Sequence, residues 1–213
     1  MLKPQGYDDV EAFGNSTFEK IELGGHIGII KKAESEEYTT RDGKKMTRLC
    51  IYFDFTEEDS QPAYFANRFE MDKKQNPCAN WRGIFRQNIP TSTISDADKK
   101  AMSFLKGTIT AIEESNNFKW DWEPQSLVGK RVCCVFGREE FFAQTGDIKL
   151  ATKCVQLRSL QALKDNKVKI PNVKLLDGTR ISEEDYAKTH DAQQNYQQKS
   201  QPLSNLTDAD MPF

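Results

Sequence analysis

Along this chain an aromatic side chain repeatedly stands beside a cation. Tyr38 precedes Arg41, Lys44, Lys45 and Arg48. Tyr64 and Phe65 are followed by Arg68, Trp81 adjoins Arg82, Phe85 adjoins Arg86, and Lys119 adjoins Trp120. A nucleic-acid single strand needs flat faces on which bases stack and nearby cations for its phosphates. The residues Tyr38, Arg41, Lys44, Lys45, Arg48, Tyr64, Arg68, Trp81, Arg82, Arg86, Lys119 and Trp120 are therefore the candidate contact set. Aromatics in strands more often fill cores, and Phe53, Phe55 and Phe136 are assigned there. Trp81 and Trp120 lie in polar, loop-like stretches, and for them base platform and core plug both stand. The turn Arg41-Asp42-Gly43-Lys44-Lys45 reads either as a phosphate-contacting loop or as an ordinary solvated turn.

A second chemistry sits at the chain end, in Asp208, Asp210, Met211, Pro212 and Phe213. So short and polar a segment cannot fold alone, but a partner can grip it. Phe213 would fill an apolar pocket, its carboxylate would meet a basic group, and Pro212 would hold the approach extended. Charge is distributed to match: residues 177–213 carry seven acids against three bases, so the body is net +2 although the chain is −2. An acidic tail on a mildly basic body is the layout expected when the tail must not bind what the body binds.

Catalysis finds little support. Gly24, Gly25 and Gly28 lack the lysine and hydroxyl of a phosphate loop, and the two histidines, His26 and His190, are too far apart for a triad or zinc site. Runs such as Glu57-Glu58-Asp59, Glu113-Glu114 and Glu139-Glu140 read as solvated surface. A metal-dependent nuclease assembled from Asp54, Asp121 and Glu139 is the weaker alternative, and no cofactor or metal is expected. Five cysteines without CxxC spacing read as reduced thiols of a cytoplasmic protein. Neither a signal peptide nor a membrane-length apolar run is visible, so a soluble chain without membrane partners is expected.

The elements that must position these residues follow from pattern. A strand is expected from His26 to Lys32, then an Asp42-Gly43 hairpin, then a return strand over Met46–Thr56 with Ile51, Phe53 and Phe55 on its core face. Another strand is read over Ala63–Phe69. Ser95 with Asp96 and Asp98 caps a helix reaching about Glu114, with Met102, Leu105, Ile109 and Ile112 as its apolar stripe. Arg131–Phe142 and Ile148–Leu160 form a further pair around Thr145-Gly146-Asp147, with Arg131 and Arg138 either lining a groove or marking the ends of a buried strand. Ser182 to Asp185 caps a short helix. The expected fold is mainly β: an oligonucleotide-binding (OB)-like Greek-key barrel with one helix and a flexible acidic C-terminal tail. Residues 1–20 are an extended lead-in, 21–176 the OB-like domain and 177–213 the tail. At 37% hydrophobic, the composition agrees with a sizeable unpacked part.

Several segments carry a resemblance. Gly25-His26-Ile27-Gly28, Ala111 through Asn116, Lys119-Trp120-Asp121-Trp122, Leu127-Val128-Gly129-Lys130 and Val173 together resemble phage- or prophage-encoded single-stranded DNA-binding proteins of Gram-positive hosts. The chain end resembles the acidic Pro-Phe tip of bacterial-type members. The resemblance covers about residues 20–175 and the tip. It implies an OB barrel that coats exposed strands during phage DNA replication or recombination in the host cytoplasm. It also implies that Asp208 to Phe213 recruits replication or recombination proteins; a homo-oligomer is compatible with it. The rival is a protein-interaction or assembly factor with no affinity for nucleic acid.

Overall fold

Gly24 opens β1 (Gly24–Thr39) in a computed structural model that describes residues 19–40, 42–91, 94–143 and 145–189. The chain reverses through a tight turn in which Thr40 N–H donates to the Lys44 carbonyl at 2.9 Å and Gly43 takes φ 78°. It returns as β2 (Lys45–Phe55), antiparallel to β1. The Asp-Gly hairpin is therefore where the pattern placed it. β3 (Ile84–Ile89) pairs antiparallel with β2. β4 (Arg131–Phe142) pairs antiparallel with β1 over Gly24–Ile29, and β5 (Ile148–Arg158) pairs with β4. Short strands β6 (Val173–Lys174) and β7 (Arg180–Ile181) complete a seven-stranded mixed sheet in the order β3-β2-β1-β4-β6-β7.

The chain is mainly β, but two expectations are corrected. No pairing of β3 with β5 is present among the described residues, so the sheet does not close into a barrel. The single helix also has company. Alongside α2 (Asp96–Asn116) stand α1 (Tyr64–Gln75), α3 (Leu160–Lys164), a 3-10 turn at Pro124–Leu127 and helical residues 183–189. The Ala63–Phe69 strand is thus a helix. Its aromatic and β-compatible composition suited either state, and Asp54 decides between them. This carboxylate lies buried at the end of β2, where it accepts from the backbone N–H groups of Phe65 (2.9 Å) and Ala66 (3.1 Å). Those are orphan donors of the first helical turn, and Ala63 has no side chain to cap them. Spacing then agrees with helix, because Arg68 and Asp72 form an i,i+4 ion pair.

Helix α2 follows its sequence signal closely. Ser95 and Asp98 form a reciprocal capping box, and Leu105, Ile109 and Ile112 are buried, with Thr108 and Ala111 beside them.

The described residues divide into two compact units, the first running up to 136 with 154–170 and the second 137–153 with the residues from 171 onward. The first holds the core: Phe53, Phe55, Phe65 and Phe136 pack edge-on or stacked with ring centroids 5.3 to 6.4 Å apart. Where β3 begins, Gly83 is required, since a Cβ there would collide with the Phe53 carbonyl. The second unit is tied by ion pairs of Glu139 with Lys153 and Lys174 and of Arg138 with Glu183.

His26 sits 2% exposed, stacked 4.4 Å from the Phe55 ring. Both its nitrogens face acceptors, Asp59 Oδ1 at 2.9 Å and the Glu22 carbonyl at 3.1 Å. A neutral imidazole has one N–H and cannot donate to both, so the geometry calls for imidazolium. Burial pulls the His26 pKa down, but the hydrogen bond and charge of Asp59 outweigh it and raise it above 6.5. Burial likewise pushes Asp59 up, yet His26 and the N–H groups of Gln61 and Ile27 hold it below 3.8.

Two outcomes are expected from this packing. Asp54→Ala lowers unfolding free energy by about 2–3 kcal/mol, and Asp54→Asn by about 1, because the amide oxygen still accepts; equal losses in urea denaturation would contradict the capping role. The ion pair's full contribution lies between pH 3.8 and 6.5. It is lost upward as pH rises through the raised His26 pKa, and downward as pH falls through the lowered Asp59 pKa. The urea midpoint should therefore fall as pH rises beyond 6.5, and this decline should vanish in His26→Gln.

Candidate nucleic-acid interface

In β2, Leu49, Ile51, Phe53 and Phe55 enter the core, so the residues between them point to the other face. Cross-strand partners share a face. Lys32 lies opposite Tyr52, and Tyr52 opposite Ile84. Glu34, Cys50 and Arg86 form the next row, Glu36, Arg48 and Asn88 the next, and Tyr38 lies opposite Met46. These rows make the outer face of the β1–β2–β3 sheet.

Two similar clusters lie side by side on it. Arg48 forks onto Glu36, with Nε and Nη2 donating to the two carboxylate oxygens at 3.0 and 2.9 Å. Its guanidinium sits 4.8 Å from the centre of the Tyr38 ring, and Tyr38 OH donates to Asn88 at 3.0 Å. In the second cluster, Lys32 and Tyr52 OH both approach Glu34 at 2.7 Å, and Lys32 lies 5.1 Å over the Tyr52 ring. The bond to Lys32, then that to Tyr52, holds Glu34 below the usual carboxylate range. The Cys50 thiol, then Arg48, does the same for Glu36. The bond to Glu34 pushes Tyr52 up to about 12. Arg86, Lys44 and Lys45 are exposed and have no ion-pair partner among the described residues.

Of the residues singled out by sequence, the sheet brings Tyr38, Arg48 and Arg86 onto one face, with Lys44 and Lys45 at the hairpin end. Arg41 lies outside the described residues, as do Asp208, Asp210, Met211, Pro212 and Phe213. The others are engaged elsewhere. Tyr64 OH donates to the Glu19 carbonyl at 2.9 Å and its ring packs beside Phe55. Arg68 and Arg82 converge on Asp72 at 3.1 and 2.8 Å. Trp81 packs on Phe69 and Phe65 and donates Nε1 to the Phe53 and Gly83 carbonyls, both at 3.1 Å, so it pins the start of β3. Trp120 is 8% exposed, its Nε1 on the Glu123 carbonyl at 3.0 Å, and Lys119 pairs with Glu113 at 2.7 Å. Core plug is thus the structural role of Trp120, and Trp81 is anchored in the same way. Arg131 pairs with Glu58 and Arg138 with Glu183, at the two ends of the buried run Val132–Gly137.

Sequence reasoning missed Lys32, Tyr52, Glu34, Glu36 and Asn88. Alternation alone would not have found them all: the register shifts between Ile30 and Lys32, so strict period two from the buried Ile30 would have sent Lys32, Glu34 and Glu36 to the core face, and Asn88 lies on β3. It also passed over Trp122, which is 62% exposed, with its ring 4.6 Å from that of Trp120. Trp122 holds φ 67°, a costly conformation for a bulky residue.

The three carboxylates of the nuclease alternative are dispersed. Asp54 caps α1, Asp121 accepts from Ser126 Oγ at 2.6 Å and Glu123 N–H at 3.1 Å, and Glu139 pairs with two lysines. No group of three or more metal-ligating side chains comes together among the described residues. No helix among them is long and apolar enough to cross a membrane. No known family model matches this chain, and no curated protein matches it.

Proposed function

We propose that this chain binds single-stranded DNA across the outer face of β1–β2–β3, coating exposed strands during phage DNA replication or recombination. One observation carries the reading: a single sheet face aligns two aromatic–cation stacks, Tyr38 with Arg48 and Tyr52 with Lys32, beside the exposed Arg86. Bases stack on aromatic rings and on guanidinium planes alike, and Arg86 with Lys44 and Lys45 supplies cations for phosphates. Strand order supports it too. The order β1, β2, α1, β3, α2, β4, β5, with β1 paired to both β2 and β4, is compatible with an OB-like arrangement that carries an extra helix between β2 and β3 and is left open between β3 and β5. On this reading the acidic tip, Asp208 to Phe213, recruits replication or recombination proteins.

A protein-docking role is the second reading, and the β4–β5 hairpin favours it. Phe142 is 67% exposed and Ile148 52% exposed beside the turn, an apolar tip that a protein partner could cover.

Titrating unlabelled oligo-dT at low and then high salt, with binding read by calorimetry, separates the two. Single-strand binding predicts saturable heat that weakens with salt. Tyr38→Ala and Tyr52→Ala should each lose about 1–3 kcal/mol. Removing Lys44 or Lys45 should shallow the salt slope by about 0.7 each. No heat at any salt, with the fold intact, would contradict the proposal.

A further inference from the structure

Two cations of this face, Arg48 and Lys32, are already held by carboxylates. Arg48 presents its planar fork to Glu36 through two parallel hydrogen bonds, at 3.0 and 2.9 Å. Carboxylate and phosphate present the same pair of oxygens to a guanidinium. A third donor, the Cys50 thiol, reaches Glu36 Oε2 at 3.3 Å. One row along, Glu34 holds Lys32 at 2.7 Å. Both acids lie on the stacking face itself, Glu36 opposite Arg48 and Glu34 opposite Cys50, and both are partly solvent-exposed, so an arriving anion has access to the cations they hold. Glu37 offers the contrast: it is the next residue of β1, is exposed, and alternation places it on the opposite side of the strand.

We infer that Glu36 is an internal stand-in for phosphate, occupying on Arg48 the position that a bound strand's phosphate takes, with Glu34 doing the same on Lys32. This rests on the single-strand reading of the face and adds what sets its strength. Binding is an exchange in which a phosphate displaces a carboxylate from each cation. Free carboxylate left on the face then repels the strand, so affinity is held down by the protein's own acids. Without the stand-in, Arg48 contributes a full phosphate contact and releases one more counterion.

The test compares Glu36→Gln, Glu34→Gln and Glu37→Gln in the full chain, binding oligo-dT at about 0.15 M salt, where charges more than about 8 Å apart are largely screened. Displacing an exposed ion pair costs little, so Glu36→Gln should tighten binding about two- to five-fold. Its salt slope should steepen by about 0.7, the contribution of one more phosphate on a single strand. Glu34→Gln should shift in the same direction. Glu37→Gln, an equal change in net charge, should leave both readings within error. In an Arg48→Gln background, Glu36→Gln should give no gain, while thermal melts confirm that each variant is folded. If the wild type binds and Glu36→Gln gains nothing, or gains no more than Glu37→Gln, or gains equally without Arg48, the stand-in role is overturned and the face reading survives. If neither wild type nor any variant binds, the face reading falls, and this inference with it.

Discussion

Everything described here depends on β1 changing partners partway along its length. Its first residues pair with β4 and its later ones with β2, and Gly28 and Ile29 pair with both. A strand with neighbours on both sides has all its backbone groups met; one with a single neighbour leaves a row of donors and acceptors open. The chain meets this by covering the exposed edge. At the irregularity between Ile30 and Lys32, Ile30 exchanges hydrogen bonds with Gly129 and Lys130, and beyond it Gln125 donates to the Ala33 carbonyl at 3.3 Å. At the crossing, Gly28 leaves room for the Cys134 sulfur, which would lie 2.6 Å from a Cβ. His26, two residues earlier, ties the same strand to Asp59.

That change of partners produces the candidate interface. The irregularity at Ile30–Lys32 resets which side chains face outward, so that Lys32, Glu34, Glu36 and Tyr38 fall in register with Tyr52, Cys50, Arg48 and Met46. The strands supply the register, Tyr and Arg the planar groups, and two glutamates among the cations the charge balance.

Much of the scaffold could be read from the residues alone. Ser95 and Asp98 announced α2, and Leu105, Ile109 and Ile112 its buried stripe; Asp42-Gly43 announced the hairpin, and the alternation of β2 its core face. These signals are local, so one segment contains all the information. What escaped was non-local. Asp54 turns Tyr64–Gln75 into a helix from across the β2–α1 connection, and no pattern inside the segment says so. Trp81 and Trp120 carry neighbouring cations, yet Phe53 and Glu123 supply carbonyls that draw their indoles inward. Trp122, in an equally polar setting, is left outside. Barrel closure is likewise a relation between β3 and β5 that neither strand encodes.

The candidate interface was half legible. Tyr38, Arg48 and Arg86 were named for composition, whereas Tyr52 and Lys32 required the register. The most direct test is to photocrosslink a halogenated-uracil single strand to the full chain and map the joined peptides by mass spectrometry. Attachment at Tyr38 or Tyr52, suppressed by unlabelled competitor strand, is the result this account predicts. Attachment confined to the Trp122 loop or the Phe142 hairpin, or no competitor-sensitive attachment at all, would contradict it.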